Sequence, residues 1–180
     1  MNQTAHQQRG ATLIEVMVSM LIVAFGVLAM IALQTNAIKF TKTSEYRSIA
    51  TLLANDLADR MRVNPDGVIK AGYTLSDQTY AAPKETPTRT ECAAPTNCTD
   101  LELAARDLGE WRRALFFSLP GGNGFVRPTA DNSAADIWIA WLDPGESNPV
   151  TETNNGCPAT FLPKTVPDTL HCVYFRVSLK

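Results

Sequence analysis

The sequence predicts an α+β protein in which one long N-terminal helix packs on a small antiparallel β-sheet. Residues 11–64 contain no proline and read as a single helix. A second amphipathic helix follows near residue 100, and three short segments with strand patterns come after it. Because the apolar stripe of a helix and one face of a sheet each need a partner, the simplest arrangement packs the sheet on the long helix.

The first half of the long helix is an almost unbroken apolar run. From Val16 to Leu33 the only polar side chain is Ser19, and the run is long enough to span the hydrocarbon of a membrane. One acidic residue, Glu15, stands at its outer end. An ionisable side chain in such a segment is costly unless it has a partner, so we interpret Glu15 as a functional residue.

The second half of the helix is amphipathic. Its apolar residues recur with helical period, at Tyr46, Ile49, Ala50, Leu53, Leu57 and Met61. Pro65 and Gly67 then predict that the helix ends at residue 64, since the residue before a proline disfavours helix. The second half is therefore expected to pack on a domain.

The remaining elements are shorter. Residues 66–99 are predicted to be a loop region with one short strand, anchored by Tyr73 and Tyr80. Asp100 is expected to cap a second helix that ends before residues 119–122. Strands are predicted at 124–128, 136–142 and 172–179, and the C-terminal part is long enough for one modest core.

The composition excludes a nucleic-acid-binding class. The 16 basic residues are scattered among 18 acidic ones, and the formal net charge is −2. No basic patch indicates nucleic acid as a partner.

Four cysteines, Cys92, Cys98, Cys157 and Cys172, follow the long helix. An even number outside the cytoplasm indicates two disulfides. Of the three possible pairings, proximity favours Cys92 with Cys98 and Cys157 with Cys172. A zinc site is the alternative, but no C-x-x-C spacing occurs and His171 is the only nearby histidine, so we expect no metal and no cofactor.

The string from Gly10 to Val16 and its apolar continuation resemble the class III signal of type IV pilins and of type II secretion pseudopilins. The resemblance implies that a prepilin peptidase cuts between Gly10 and Ala11 and methylates the new amino terminus. Most members have phenylalanine at the position of Ala11, which leaves methylation open. The resemblance also implies that Glu15 neutralises the amino terminus of a neighbouring subunit in a filament.

The residues alone lead to a similar role for Glu15. The chain has no basic residue from Thr12 to Asn36, so a second copy of the anchor offset along its axis offers the best counter-charge. Solvation of Glu15 at headgroup level is the alternative. A secretory signal that is removed whole does not fit, because the apolar run lacks an Ala-x-Ala exit.

Three further motifs resemble the PilV group of minor pilins, in the same order: Asp56 to Pro65, Trp111 with Leu119 to Gly124, and Ile137 to Trp141. The resemblance implies assembly or initiation of a type IV pilus, with other minor pilins, the major pilin and a tip adhesin as partners. A type II secretion pseudopilin is the alternative.

The expected organisation has four parts. Residues 1–10 form a cytoplasmic leader, 11–34 the segment in the inner membrane and filament core, 35–64 the amphipathic half of the helix, and 65–180 a periplasmic domain. Single-pass insertion would precede entry into the pilus.

Other candidate sites are discounted. Asp56, Asp59, Arg60 and Arg62 are expected to form ordinary ion pairs on the helix surface. Trp138 and Trp141 should lie on opposite faces of a strand, one in the core and one covered by a loop or a partner. No Ser/His/Asp set can be assembled, so an enzyme is not predicted, and a DNA-capturing pilin would need an exposed basic stripe.

Overall fold

The computed structural model describes residues 12–75, 79–93, 97–143 and 157–180. Its elements are α1 (Leu13–Val63), α2 (Pro65–Ile69), α3 (Asp100–Ser118), β1 (Asn123–Pro128), β2 (Ala134–Leu142) and β3 (Leu170–Ser178). The strands form one antiparallel sheet in the order β1-β2-β3. The predicted α+β class, with a long N-terminal helix and a small antiparallel sheet, is confirmed.

The chain divides into two compact units, Met1–Phe40 and Thr41–Lys180, and α1 contributes to both. The first unit is described from Thr12 onward. Every side chain from residue 12 to residue 40 is exposed, and the large apolar ones between Leu13 and Leu33 are each at least 42% exposed. This helix is long and apolar enough to cross a membrane.

The second unit has its main core on one face of the sheet. The apolar stripe of α1 meets a stripe of α3 and the inward residues of β2 there. The buried members include Ala50, Leu53, Leu57 and Met61 from α1, Ala104, Leu108, Trp111 and Leu115 from α3, and Ile137, Ile139 and Trp141 from β2. The predicted packing of the amphipathic half of α1 on the sheet is therefore confirmed.

A second apolar cluster lies on the opposite face of the sheet. It contains Tyr80, Phe125, Trp138, Phe161 and the disulfide residues Cys157 and Cys172. The ring centroids of Phe125 and Trp138 are 5.3 Å apart. Trp138 and Trp141 thus lie in different clusters, as the alternation of β2 predicted, and both are buried.

The ends of the helices depart from the sequence prediction. Pro65 ends α1 and also occupies the start of α2. A residue at that position has no partner for its N–H within the helix, so the missing N–H of proline breaks no hydrogen bond. The N-cap of α3 is Thr99 rather than Asp100, since Thr99 and Glu102 form a reciprocal capping box. Among the described residues of 66–99, Leu75 makes only an isolated bridge to Val126 instead of a strand.

Replacing Trp111 with alanine should destabilise the second unit by about 3 to 5 kcal/mol. Trp111 is 0% exposed, and its Nε1 donates a hydrogen bond to the carbonyl of Leu53 at 2.9 Å. Urea denaturation of the full chain in detergent measures the free energy of unfolding. Leu52→Ala is the control on α1, because Leu52 is 69% exposed and its loss should cost less than about 0.5 kcal/mol. Equal losses for the two variants would contradict this account of the core.

Candidate functional site

The N-terminal turn of α1 carries the acidic residue singled out by the sequence. The amides of Glu15 and Val16 donate to the carbonyl of Thr12 at 3.0 and 3.2 Å, which places Glu15 in the first turn of the helix. The partial positive charge of a helix N-terminus favours a carboxylate at this position. Gly10 and Ala11, the predicted cleavage and methylation residues, lie outside the described residues.

Glu15 lies far from any basic side chain of α1. The first one along the helix is Lys39, twenty-four residues on, which corresponds to about 36 Å at 1.5 Å per residue. The electrostatic attraction between Glu15 and Lys39 over that distance is negligible compared with the free energy of placing a carboxylate in lipid. A counter-charge for Glu15 within the apolar helix must therefore come from the chain's own amino-terminal end or from another molecule.

The hydroxyl groups of Ser19 and Thr35 are hydrogen-bonded within the helix. Ser19 donates to the carbonyl of Val16 at 2.9 Å, and Thr35 donates to the carbonyl of Ile31 at 3.0 Å. Such bonds let hydroxyl side chains enter lipid without an unpaired polar group. They leave the Glu15 carboxylate as the strongest polar feature of the segment between Thr12 and Leu33.

Arg60 forms the expected pair with Asp56 and is also part of a network between helices, which the sequence did not indicate. Its guanidinium contacts Asp56 of α1 at 3.0 Å, but also Glu110 at 2.8 Å and Asp107 at 3.3 Å, both from α3. Hydrogen bonding from Arg60 lowers the pKa of Glu110. Asp59 and Arg62 do form the expected pair one turn apart, at 2.5 Å.

Two buried polar residues extend this network. Tyr73 is 0% exposed and donates its hydroxyl proton to Asp107 at 2.5 Å. The Asn64 side chain donates to the Tyr73 hydroxyl at 3.2 Å and to the carbonyl of Asp100 at 2.8 Å. Burial raises the pKa of Tyr73, which keeps its hydroxyl protonated as the donor. The network joins α1, α2 and α3 and is structural.

The four cysteines lie in two pairs at disulfide distance. The Cα atoms of Cys92 and Cys98 are 5.3 Å apart, and those of Cys157 and Cys172 are 6.4 Å apart. The second pair is buried in the second apolar cluster and joins the segment before Phe161 to β3. The pairs are those that proximity in the sequence favours.

The described residues hold no group of three or more histidine, cysteine or acidic side chains that could bind a metal ion. His171 is 5% exposed and stacks on Trp141 with ring centroids 5.9 Å apart. This placement is typical of a structural histidine in a core.

Two family models match the chain. Residues 5–31 match the prokaryotic N-terminal methylation motif, and residues 32–109 match a type IV pilin family described as Tt1218-like. The chain matches no curated protein and no solved structure.

The two adjacent matches support the type IV pilin superfamily for this chain, and with it a pilin or pseudopilin role. The type IV pilin family is a family of structural proteins. The methylation motif implies processing by prepilin peptidase and assembly with other pilins, and the apolar helix indicates membrane anchoring.

The network around Arg60 is the feature that sequence reasoning missed. Asp107 and Glu110 lie 47 and 50 positions from Arg60, while Asp56 is one turn away on the same helix. A local ion pair at i,i+4 is therefore the only interaction visible in the sequence. A buried tyrosine and asparagine that need polar partners are the signal that could have indicated more.

Non-reducing peptide mapping of the chain isolated from membranes should recover Cys92 linked to Cys98 and Cys157 linked to Cys172. Loss of the second link in Cys157→Ser should destabilise the second unit more than loss of the first in Cys92→Ser, because only Cys157 and Cys172 are buried in a core cluster. Urea denaturation compares the two variants. Free thiols on properly exported protein would contradict the assigned pairs.

Proposed function

We propose that this chain is a minor pilin that takes part in assembly or initiation of a type IV pilus. It is inserted in the inner membrane with residues 65–180 in the periplasm. Prepilin peptidase cuts it between Gly10 and Ala11 and methylates Ala11. It then enters the pilus through α1, beside other minor pilins, the major pilin and a tip adhesin.

The observation that carries the proposal is the exposed apolar half of α1 with its single carboxylate. A helix that is apolar all round has no stable place in water, and every side chain from residue 12 to residue 40 is exposed. Lipid can cover this surface before assembly, and the helices of other subunits can cover it afterwards. The same segment therefore serves as membrane anchor and as filament core.

Glu15 gives that assembly a specific contact. A carboxylate moved from the headgroup region into a helix bundle loses water and needs a cation. Cleavage after Gly10 would create an ammonium group at Ala11, four positions before Glu15. In a neighbouring subunit displaced along the axis, that ammonium group can lie beside Glu15. Pairing of Glu15 with the amino terminus of a neighbouring subunit then favours one axial offset over all others.

The alternative within the same superfamily is a pseudopilin of type II secretion. The methylation motif and the apolar helix fit both functions equally. The order of the motifs from Asp56 to Pro65, at Trp111 and from Ile137 to Trp141 favours the PilV group of minor pilins.

Replacing Gly10 with leucine should block processing, because a side chain at the residue before the scissile bond obstructs the approach of the peptidase carboxylates. An unshortened chain should accumulate in the inner membrane, which immunoblotting of membrane fractions measures. Gln8→Leu is a control within the leader and should be processed. Mature size for the Gly10 variant would remove the basis of the cleavage assignment.

Glu15→Ala should leave insertion and cleavage intact, since it makes the segment more apolar, and should reduce incorporation beside other pilins. Site-specific crosslinking of the variant to its neighbours, at matched expression, should fall at least fivefold. Ser19→Ala, one turn further along α1, is the control, because the Ser19 hydroxyl is already bonded within its own helix. Unchanged crosslinking and pilus number for Glu15→Ala would mean that Glu15 is merely solvated at the headgroups.

A further inference from the structure

A cavity of about 450 Å³ opens where the end of α1 meets α2. Most of its lining is apolar. Met61 and Val68 lie buried in this lining, whereas Ile69 is 64% exposed and stands at its open side. A volume of this size with an apolar lining is sufficient for a small apolar group such as one aromatic ring.

One carboxylate, that of Asp131 in the turn between β1 and β2, also lines the cavity. It accepts hydrogen bonds from the Thr129 hydroxyl at 2.6 Å and from the Ser133 amide at 3.2 Å. Hydrogen bonding from Ser133 and Thr129 lowers the pKa of Asp131 and keeps it ionised. Both donors are neutral. Within the described ranges no cation forms an ion pair with Asp131, although Lys180 also lines the cavity, so the negative charge stays available.

The last turn of α3 carries an exposed aromatic side chain accompanied by a cation. Phe117 is 68% exposed. The guanidinium carbon of Arg113 lies 5.8 Å from the centroid of its ring, and the ring of Phe116 meets it edge-on with centroids 5.2 Å apart. Arg113 also donates to the carbonyl of Pro87 at 3.2 Å, and no carboxylate of the described residues pairs with it. These contacts hold the ring of Phe117 and leave the charge of Arg113 without an ionic partner.

Phe117 and the cavity lie at opposite ends of the second unit. α3 begins at the cavity end, because the Asp100 carbonyl accepts from Asn64 at 2.8 Å and the Asp100 carboxylate accepts from Lys70 at 2.6 Å. Asn64 and Lys70 flank α2, whose residues line the cavity. Phe117 is seventeen residues further along α3, which corresponds to about 25 Å at 1.5 Å per residue. Phe117 therefore cannot fill the cavity of its own chain, whereas the Phe117 of a second copy can.

Phe117 matches the cavity better than the other large, exposed apolar side chains of the second unit. In the described ranges those others are Leu52, Val63, Ile69, Leu101 and Tyr174. Val63, Ile69 and Leu101 lie at the cavity end themselves. Tyr174 stands near Arg176, whose charge Asp136 already balances at 2.8 Å. The charged residue one turn from Leu52 on α1 is an acid, Asp56. Phe117 thus combines apolar bulk, a position at the other end and an unbalanced cation.

We propose that this cavity binds the Phe117 side chain of a second copy of the chain. Arg113 of that copy then lies near Asp131 at the rim of the cavity, so apolar burial and charge pairing act at one contact. The contact joins two different surfaces, and each added copy brings a free cavity or a free Phe117, so copies can add head to tail. This inference goes beyond the proposed function, because it uses the second unit alone and holds for a pilin or a pseudopilin.

The test uses the purified full chain in detergent micelles with the photoreactive substitution Ile69→p-benzoylphenylalanine at the open side of the cavity. Copies labelled with heavy nitrogen are mixed with unlabelled copies, so that a product between two copies is recognised by its mixed mass. Irradiation should join residue 69 of one copy to the peptide that contains Phe117 of another. Mass spectrometry of the digested product identifies both peptides and measures the yield.

Two kinds of variant separate the apolar contact from the charge. Phe117→Ala should reduce the yield by about tenfold or more, whereas Leu52→Ala, which removes an equally exposed apolar side chain, should change it by less than about twofold. Arg113→Asp and Asp131→Arg should each reduce the yield by about fivefold or more, and the double variant should recover to within about threefold of the parent chain. Unchanged urea midpoints show that the variants are folded.

Three results would overturn the proposal. The first is a purified chain that gives no product between copies, or one that joins residue 69 to a different peptide. The second is equal yield for Phe117→Ala and Leu52→Ala, or no recovery in the double charge variant. The third is a product with a different protein, and none with a second copy, when cells are irradiated, because that protein would then be the occupant. None of these results bears on Gly10 or Glu15, so the proposed function is tested separately.

Discussion

The apolar stripe on the second half of α1 is the constraint on which the rest of the structure depends. Leu57 and Met61 are completely buried, and they belong to the apolar cluster in which α3 and the sheet pack on α1. Trp111 joins the two helices by filling the space between them and by donating to the Leu53 carbonyl. The backbone N–H groups inside α1 are all used in its own hydrogen bonds, but a carbonyl oxygen can accept a second one. The Leu53 carbonyl can therefore accept from Trp111 without loss of a hydrogen bond within α1.

The same helix meets two different environments. Its second half buries one stripe and exposes mostly polar side chains on its other faces, whereas its first half exposes apolar side chains all round. The network of Arg60, Asp107, Tyr73 and Asn64 gives the second half polar contacts that fix its partners. The exposed apolar side chains of the first half indicate membrane anchoring. In the proposed filament, pairing of the Glu15 carboxylate would favour one arrangement of helices over others.

Sequence reasoning succeeded where the information is local. The proline-free run, the stripe from Ile49 to Met61 and the alternation of β2 predicted the elements and their inward faces. It failed where contacts are distant in the chain. Arg60 looked like half of a surface pair because Asp56 is close in sequence, and Asp107 and Glu110 are not. The second cluster was missed because Phe161 and Cys157 have no periodic neighbours that mark a buried segment.

The candidate site could also be predicted only in part from the sequence. Glu15 could be singled out from residue chemistry alone, since a lone carboxylate in an apolar run is costly. A counter-charge for Glu15 could not be located, because the chain has no basic residue between Thr12 and Asn36. The contact between the Arg62 guanidinium and the Ser178 carbonyl could not be anticipated either, because the two residues are 116 positions apart.

The central claim is that this chain loses its leader and enters a filament through α1. Intact mass measurement of the chain in sheared surface filaments tests it most directly. The account predicts a chain that begins at Ala11, with or without one methyl group, and with four hydrogens fewer than the reduced form. A chain that keeps residues 1–10, or one that is present in membranes and never in filaments or in a secretion apparatus, would contradict the account.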